Sequence, residues 1–142
     1  MNSPNVIRFS DLQPASSQHY PDAAMRVKGK PMRTTADYFA NADHGMRSGI
    51  WRSEVGAYRI ALPPGKTEVF HLLSGQVLIT ADGAAPVSFG PGQSGVLPAG
   101  FRGIFEIVEA ASKLYVVSEQ PDQYRNGRDP CLMFDFAQSR PR

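Results

Sequence analysis

The stretch PPGKTEVFHLLSGQVLIT, residues 63–80, decides the fold of this chain. It predicts a turn, a strand, a glycine and a second strand, because a proline and glycine cluster precedes two runs of β-prone residues. Glu68 opens the otherwise apolar run VFHLLSG. A lone carboxylate in that position is typical of one member of a metal-binding set, so the function depends on whether its companions are present.

Composition and charge set the broad class. The chain has 142 residues, 20% charged and 42% hydrophobic, which suits one globular domain. Its net charge of +2 and its scattered basic residues do not favour nucleic acid. The sequence has no signal-peptide pattern and no apolar run near the about 18 residues of a membrane span. The single Cys131 allows no intrachain disulfide. We therefore expect a cytoplasmic protein without nucleic-acid or membrane partners.

The spacing of turn residues predicts an all-β domain. Glycine and proline interrupt the middle of the chain every eight to twelve residues or so, the rhythm of a sandwich or barrel. Asp82-Gly83 predicts a hairpin between two β-prone runs. Eight short strands in an antiparallel sandwich or jelly roll follow from this pattern, at residues 48–55, 57–63, 67–75, 76–83, 85–92, 93–100, 102–109 and 112–119.

Three segments are expected along the chain. Residues 1–33 are polar and proline-interrupted, and predict an N-terminal arm lying over the domain. Residues 34–119 form the domain, entered through a short strand or helical turn. Residues 120–142 form a C-terminal extension, whose apolar patch CLMFDF at 131–136 should pack on the barrel or on a partner.

Two spacings resemble the paired motifs of the cupins. Glu68 and Gly75 are separated by six residues, as in the second half of the first cupin motif, and GQSGVLPAG at 92–100 matches the opening of the second. Residues 34–119 are similar to the ureidoglycine-aminohydrolase-like cupins, a family that also contains the ethanolamine-utilisation cupin. The resemblance implies a double-stranded β-helix, the cupin jelly roll. It is weak for chemistry, because one fold hosts many functions.

The chain departs from that family at the metal ligands. In metal-bearing cupins a His-x-His lies shortly before the glutamate and a third histidine follows the second motif. Here the first window holds Leu62-Pro63-Pro64 and the third position is Gly103. His19 and His44 lie outside the motif windows, and His71 should face away from Glu68 on a strand of period two. We therefore predict no metal and no cofactor.

Period-two counting nominates an aromatic pocket between the sheets as the binding site. Gly103 should leave space where an imidazole would sit, and Glu68 is the candidate catalytic base or ligand hook, with Arg59, Lys113 and Arg102 as the cations within reach. Alternatively, the Glu68 carboxylate accepts backbone hydrogen bonds at the sheet turn. The predicted ligand-binding residues are Trp51, Tyr58, Glu68, Phe70, Phe101, Gly103, Phe105, Lys113 and Tyr115.

Three functions remain open. The first is a module that binds a small nitrogenous or carboxylate metabolite without metal. The second is an enzyme of aminohydrolase type that uses Glu68, although the ureidoglycine enzyme carries two cupin domains with metal ligands. The third is a structural or accessory role as a homodimer that pairs through strand edges.

Overall fold

The computed structural model describes residues 3–120 as nine β-strands with three short 3₁₀ helices. The 3₁₀ helices are Phe9–Asp11, Ala23–Met25 and Ala42–His44. The strands are β1 (Ser17–His19), β2 (Arg26–Lys28), β3 (Arg33–Asn41), β4 (Met46–Ser53), β5 (Gly56–Ala61), β6 (Lys66–Ala81), β7 (Val87–Phe89), β8 (Ser94–Leu97) and β9 (Arg102–Glu119).

The strand pairing produces the all-β jelly roll that the sequence predicts. Hydrogen-bonded neighbours run in the order β1-β3-β4-β9-β5-β2, and β6 pairs with β7, β8 and β9. Every pair is antiparallel. Along one edge, β9 pairs first with β5 and then with β4, while its other edge pairs with β6. The sheet therefore curls around one core. Separately, residues 3–120 contain no helix with the length and hydropathy of a membrane span.

Two long strands replace four predicted short ones. The segments expected at 67–75 and 76–83 are one strand, β6, and those expected at 102–109 and 112–119 are one strand, β9. Gly75 does not end β6; it takes a positive φ of 82° where the pairing with β9 shifts register. A bulge that keeps the ladder on both sides bends a strand without ending it, which explains the error.

The predicted hairpin is confirmed. β6 and β7 pair through Val77↔Phe89 and Ile79↔Val87. The amide of Ala84 donates to the Ala81 carbonyl at 3.0 Å, closing the two-residue Asp82-Gly83 turn. Gly83 has a φ of 76°, a conformation that glycine adopts at little cost.

The N-terminal segment contributes strands to the sheet. β1 pairs with β3 through Gln18↔Thr34, and β2 pairs with β5. Pro21 after β1 and Pro31 after β2 are fully buried, so this segment packs against the domain. The entry element predicted from residue 34 is the nine-residue β3 followed by a 3₁₀ helix. The CLMFDF patch at 131–136 lies outside the described residues.

Candidate functional site

A cavity inside the barrel is lined by the inward-facing side chains of β3, β4, β5, β6, β8 and β9, together with His19 of β1. Its volume of about 70 Å³ exceeds the roughly 10–15 Å³ that one water needs, so it has room for several waters or a small organic group. Cross-strand pairing fixes the lining, because Trp51 on β4 lies opposite Lys113 on β9, and Thr35 on β3 lies opposite Trp51.

An ion pair stands at the wall of this cavity. Lys113 Nζ lies 2.7 Å from Glu68 Oε2, and the two side chains are 7% and 14% exposed. Glu68 points inward from β6 and Lys113 from the paired strand β9. Charges removed from water to this degree are stabilised by pairing with each other, so the two charged groups hold one another in fixed positions at the cavity wall.

Three aromatic rings surround the Lys113 ammonium group. Its Nζ lies 4.5 Å from the ring centroid of Trp51, 4.8 Å from that of Phe105 and 5.4 Å from that of Phe70. These distances allow cation–π attraction, which strengthens where water is excluded. Phe105 also packs edge-on against Trp51 and stacks on Tyr58, with centroid distances of 5.6 and 6.0 Å, so the rings hold one another in place.

Tyr115 supplies a neutral hydroxyl to the same cavity. Its phenol donates to the Asp37 carboxylate and lies 3.3 Å from the Ala36 carbonyl oxygen. Burial, the hydrogen bond to Asp37 and the Asp37 charge together raise the pKa of Tyr115 well above its ordinary value. Tyr115 is therefore a hydrogen-bonding group rather than a base at neutral pH.

His19 brings an imidazole from the N-terminal segment to the cavity. Its Nε2 lies 3.0 Å from Thr35 Oγ1. Burial and the adjacent Arg33 guanidinium lower the pKa of His19 from 6.5 to about 4, so the ring is neutral at physiological pH. Arg33 itself stacks on Tyr58, with its Cζ 4.4 Å from the ring centroid.

Further charged groups complete the lining. Arg47 on β4 lies 3.5 Å from the Glu119 carboxylate on β9, and Lys66 at the start of β6 is fully buried. Sequence reasoning missed Arg33, Arg47 and Lys66 along with His19. The place of His19, Arg33 and Arg47 at the cavity follows from the pairing of β1, β3 and β4, which no local motif in the sequence records. Lys66 lies on β6 two residues before Glu68, so period-two counting could have found it.

Six of the nine predicted binding residues line the cavity: Trp51, Tyr58, Glu68, Phe105, Lys113 and Tyr115. The other three do not. Phe70 is buried behind the ion pair, where it packs edge-on against Phe89 at 5.0 Å. Phe101 packs against the core without reaching the cavity.

The expectation that Gly103 leaves empty space beside Glu68 is wrong. The space where an imidazole was expected is filled, because a Cβ built on Gly103 would clash with the Thr80 carbonyl oxygen.

The three cations that the sequence placed within reach of Glu68 lie in different parts of the structure. Lys113 reaches Glu68, whereas Arg59 pairs with Asp82 at 2.7 Å and Arg102 is exposed at the start of β9.

Among the described residues, Glu68 is the one metal-binding side chain at the positions of the cupin metal ligands. Leu62 and Pro63 are buried at the first histidine window, and Gly103 has no room for a side chain. His71 turns away from the cavity and its Nδ1 bonds to Ser94 Oγ at 2.8 Å. Within residues 3–120 no three His, Cys, Asp or Glu side chains gather as a metal site would require. Glu68, which occupies the glutamate position of the cupin metal ligands, contacts the ammonium group of Lys113.

Solved structures similar to this one share its fold at low sequence identity. The EutQ protein of Clostridium difficile is 18% identical with a TM-score of 0.59, covering 80% of this chain and 86% of its own. A putative ethanolamine utilization protein Q from Salmonella typhimurium is 15% identical with a TM-score of 0.55, covering 75% and 96%. A protein of unknown function from the DUF861 family of Pseudomonas syringae is 19% identical with a TM-score of 0.63, covering 75% of this chain but 45% of its own.

No curated protein matches the chain in sequence. A family model does match: that of the EutQ-like cupin domain, over residues 40–115, which is more than half of the chain. The matched segment contains the Glu68–Lys113 pair and most of the cavity wall. The chain therefore belongs to the EutQ-like cupin domain family.

Proposed function

We propose that this protein binds a small nitrogenous or carboxylate metabolite in the cavity, using the Glu68–Lys113 pair as its polar anchor. The observation that carries the proposal is that a nearly dehydrated ion pair, 2.7 Å between charged atoms, stands in the wall of a cavity lined with aromatic rings. Concave sites that combine aromatic side chains with convergent polar groups are typical of small-molecule binding, and this cavity adds further charged groups, Arg33, Arg47 and Lys66.

The ion pair selects a ligand that carries both a donor and an acceptor. An N–H group can donate to the Glu68 carboxylate, while a carboxylate or carbonyl oxygen can accept from the Lys113 ammonium. Amino acids, ureido acids and small amides present both groups a few bonds apart. The aromatic rings of Trp51, Tyr58 and Phe105 then cover the ligand's apolar part.

The test is a thermal-shift screen of amino acids, ureido acids, amides and simple carboxylates, followed by calorimetry of each compound that stabilises the protein. A compound at 100 times its dissociation constant should stabilise the fold by about 2.7 kcal/mol. We expect Glu68→Gln and Lys113→Met each to weaken binding by about tenfold or more, because each leaves one ligand group without its charged partner.

The matched controls come from an exposed ion pair of the same length. Arg59 and Asp82 lie 2.7 Å apart, with side chains 37% and 52% exposed, away from the cavity. Arg59→Met and Asp82→Asn should leave the dissociation constant unchanged. Compounds that bind the Glu68→Gln variant as tightly as the original protein would rule out the proposed anchor.

An enzymatic role of aminohydrolase type is the second candidate, favoured by the carboxylate of Glu68 at the cavity wall. The ammonium group of Lys113 already occupies Glu68 Oε2 at 2.7 Å, so that oxygen is engaged before any substrate arrives, and binding is the better-supported function. Release of ammonia from ureidoglycine, measured with a coupled assay and lost in Glu68→Gln, would favour the enzyme instead.

We also propose that the protein is a cytoplasmic homodimer. On the outer face Val96, Val69 and Val116 lie side by side across β8, β6 and β9, and the first two are exposed. A second copy would cover this apolar row. Light scattering should give twice the 15.5 kDa chain mass, and Val69→Lys combined with Val96→Lys should shift it to the monomer mass. A monomer mass for the original protein would contradict the dimer.

A further inference from the structure

We infer that Lys113 is the resident cation of this site: its ammonium group occupies the Glu68 carboxylate, the one group at the cupin ligand positions that could bind a metal ion. Two consequences follow. The site has no use for a metal, and removal of the lysine side chain turns the cage into a receptor for a small primary ammonium ion. This inference concerns the protein without any ligand and therefore stands apart from the proposed function.

The geometry is that of an ammonium site that is already filled. Recognition of an ammonium ion requires a carboxylate for the charge and aromatic faces for the remaining directions. Lys113 Nζ has both, with Glu68 Oε2 at 2.7 Å and the rings of Trp51, Phe105 and Phe70 within 5.4 Å. The cation comes from the chain itself, on the strand that pairs with the strand of Glu68.

The chain positions that correspond to the other cupin metal ligands supply no metal-binding side chain. The window before Glu68 holds buried Leu62 and Pro63, which offer no donor atom on their side chains. At Gly103 the Thr80 carbonyl lies where a Cβ would have to go. Within residues 3–120, Glu68 belongs to no group of three His, Cys, Asp or Glu side chains, which is short of the three or four protein ligands that such ions require.

The positive charge of Lys113 opposes metal binding at Glu68 even more than the shortage of metal ligands does. A divalent ion on Glu68 would lie within a few ångströms of the Lys113 ammonium, and like charges in a poorly hydrated site repel strongly. Lys113 cannot easily withdraw, since it is 7% exposed and has aromatic rings around its head group. The two cations are alternatives, and the lysine is covalently present.

The decisive variant is Lys113→Ala. It keeps Cβ and removes a three-carbon chain with its ammonium group, the equivalent of n-propylammonium. The change should lower the melting temperature by about 10 °C, because the Glu68 carboxylate stays buried without its partner. Titration with n-propylammonium chloride should restore most of that loss, while sodium chloride at equal ionic strength and 1-propanol should not.

Lys28→Ala provides the matched control. Lys28 Nζ lies 2.8 Å from Glu106 in a pair whose lysine side chain is 65% exposed. This variant should lose little stability and show no response specific to propylammonium, since exposed pairs contribute little. Equal effects of propylammonium and sodium on Lys113→Ala would overturn the inference, because the cage would then have no preference for an ammonium ion.

Two measurements keep the inference testable if Lys113→Ala fails to fold. The double variant Glu68→Gln/Lys113→Met should be more stable than Lys113→Met alone, since it leaves no buried unpaired charge; the reverse order would overturn the inference. Calorimetry of the original protein with Co²⁺ or Mn²⁺ should show no binding that Glu68→Gln abolishes. Metal binding that depends on Glu68 would show that the metal, and not Lys113, is the resident cation.

Discussion

The side chains of Glu68 and Lys113 show how a charged pair is retained inside a β-barrel. Removal of two charges from water costs several kcal/mol for each ion, and the mutual attraction offsets this only with good geometry. Here a 2.7 Å contact and three aromatic rings supply that geometry. The pair is therefore a poor means of gaining stability and a good means of holding a fixed donor and a fixed acceptor in the cavity.

The candidate site could be predicted in part from single residues. Period-two counting placed Glu68, Lys113 and Tyr115 correctly, because each lies on a regular stretch of a long strand. It failed for Gly103, whose neighbour across the sheet is a backbone carbonyl that no sequence pattern reveals. It missed His19 because the pairing of β1 with β3 is not encoded in either segment alone.

His19 gives a prediction for pH dependence. Its pKa is lowered from 6.5 to about 4 by burial and by Arg33, so between these pH values the unfolded chain binds more protons than the folded one. Stability should therefore fall as the pH is lowered through this window. His19→Gln should reduce the slope of unfolding free energy against pH between pH 6.5 and 4. Urea denaturation at intervals across the window measures that slope.

The control for His19 is His44→Gln. His44 is exposed in the 3₁₀ helix Ala42–His44, and its replacement should leave the slope as in the original protein. Carboxylates titrate in the same window, so the comparison rests on the difference between each variant and the original protein. Identical slopes for His19→Gln and His44→Gln would contradict the prediction.

At the scale of elements, turn chemistry predicted the fold better than strand length. Asp82-Gly83 predicted the correct hairpin, since it forms a tight turn directly after β6 and the chain then returns as β7 to pair with it. The prediction that a strand ends at Gly75 was wrong, because a glycine between β-prone runs is as compatible with a bulge as with a turn. The strands β1 and β2 have three residues each and are polar, too short to show a period.

Gly75→Ala tests the bulge in β6. The new Cβ would lie 2.6 Å from the Ala111 Cα and closer to the Ala110 carbonyl, at a φ of 82° that alanine adopts with strain. We expect a loss of about 3 kcal/mol in the free energy of unfolding. Urea denaturation monitored by the fluorescence of Trp51 measures it.

Gly83→Ala separates strain from crowding. Gly83 has a similar φ of 76°, but a Cβ there meets nothing within 4 Å. Its replacement should therefore cost about 1 kcal/mol, the strain alone. Equal losses for both variants would show that the backbone conformation, rather than the approach of β9 to β6, limits position 75.

At the scale of the molecule, the N-terminal segment is part of the barrel and of the cavity wall. Deletion of residues 1–20 removes β1, whereas deletion of residues 1–14 leaves it in place. The longer deletion should cost about 2 kcal/mol more, because it also removes the hydrogen bonds of Ser17 and His19 to Thr35. Thermal and urea unfolding of both truncations measure the difference; equal stabilities would show that β1 contributes nothing to the fold.

The shortness of β1 has a kinetic consequence. The long strands β6 and β9 each pair along both edges, so the barrel cannot open between them without breaking many hydrogen bonds at once. β1 has three residues and a described partner in β3 alone, so its detachment is the local opening of lowest free energy next to the cavity. Solutes should therefore enter and leave at a rate set by fraying of the N-terminal segment. Amide hydrogen exchange at residues 17–19 should then report the same opening rate as ligand dissociation.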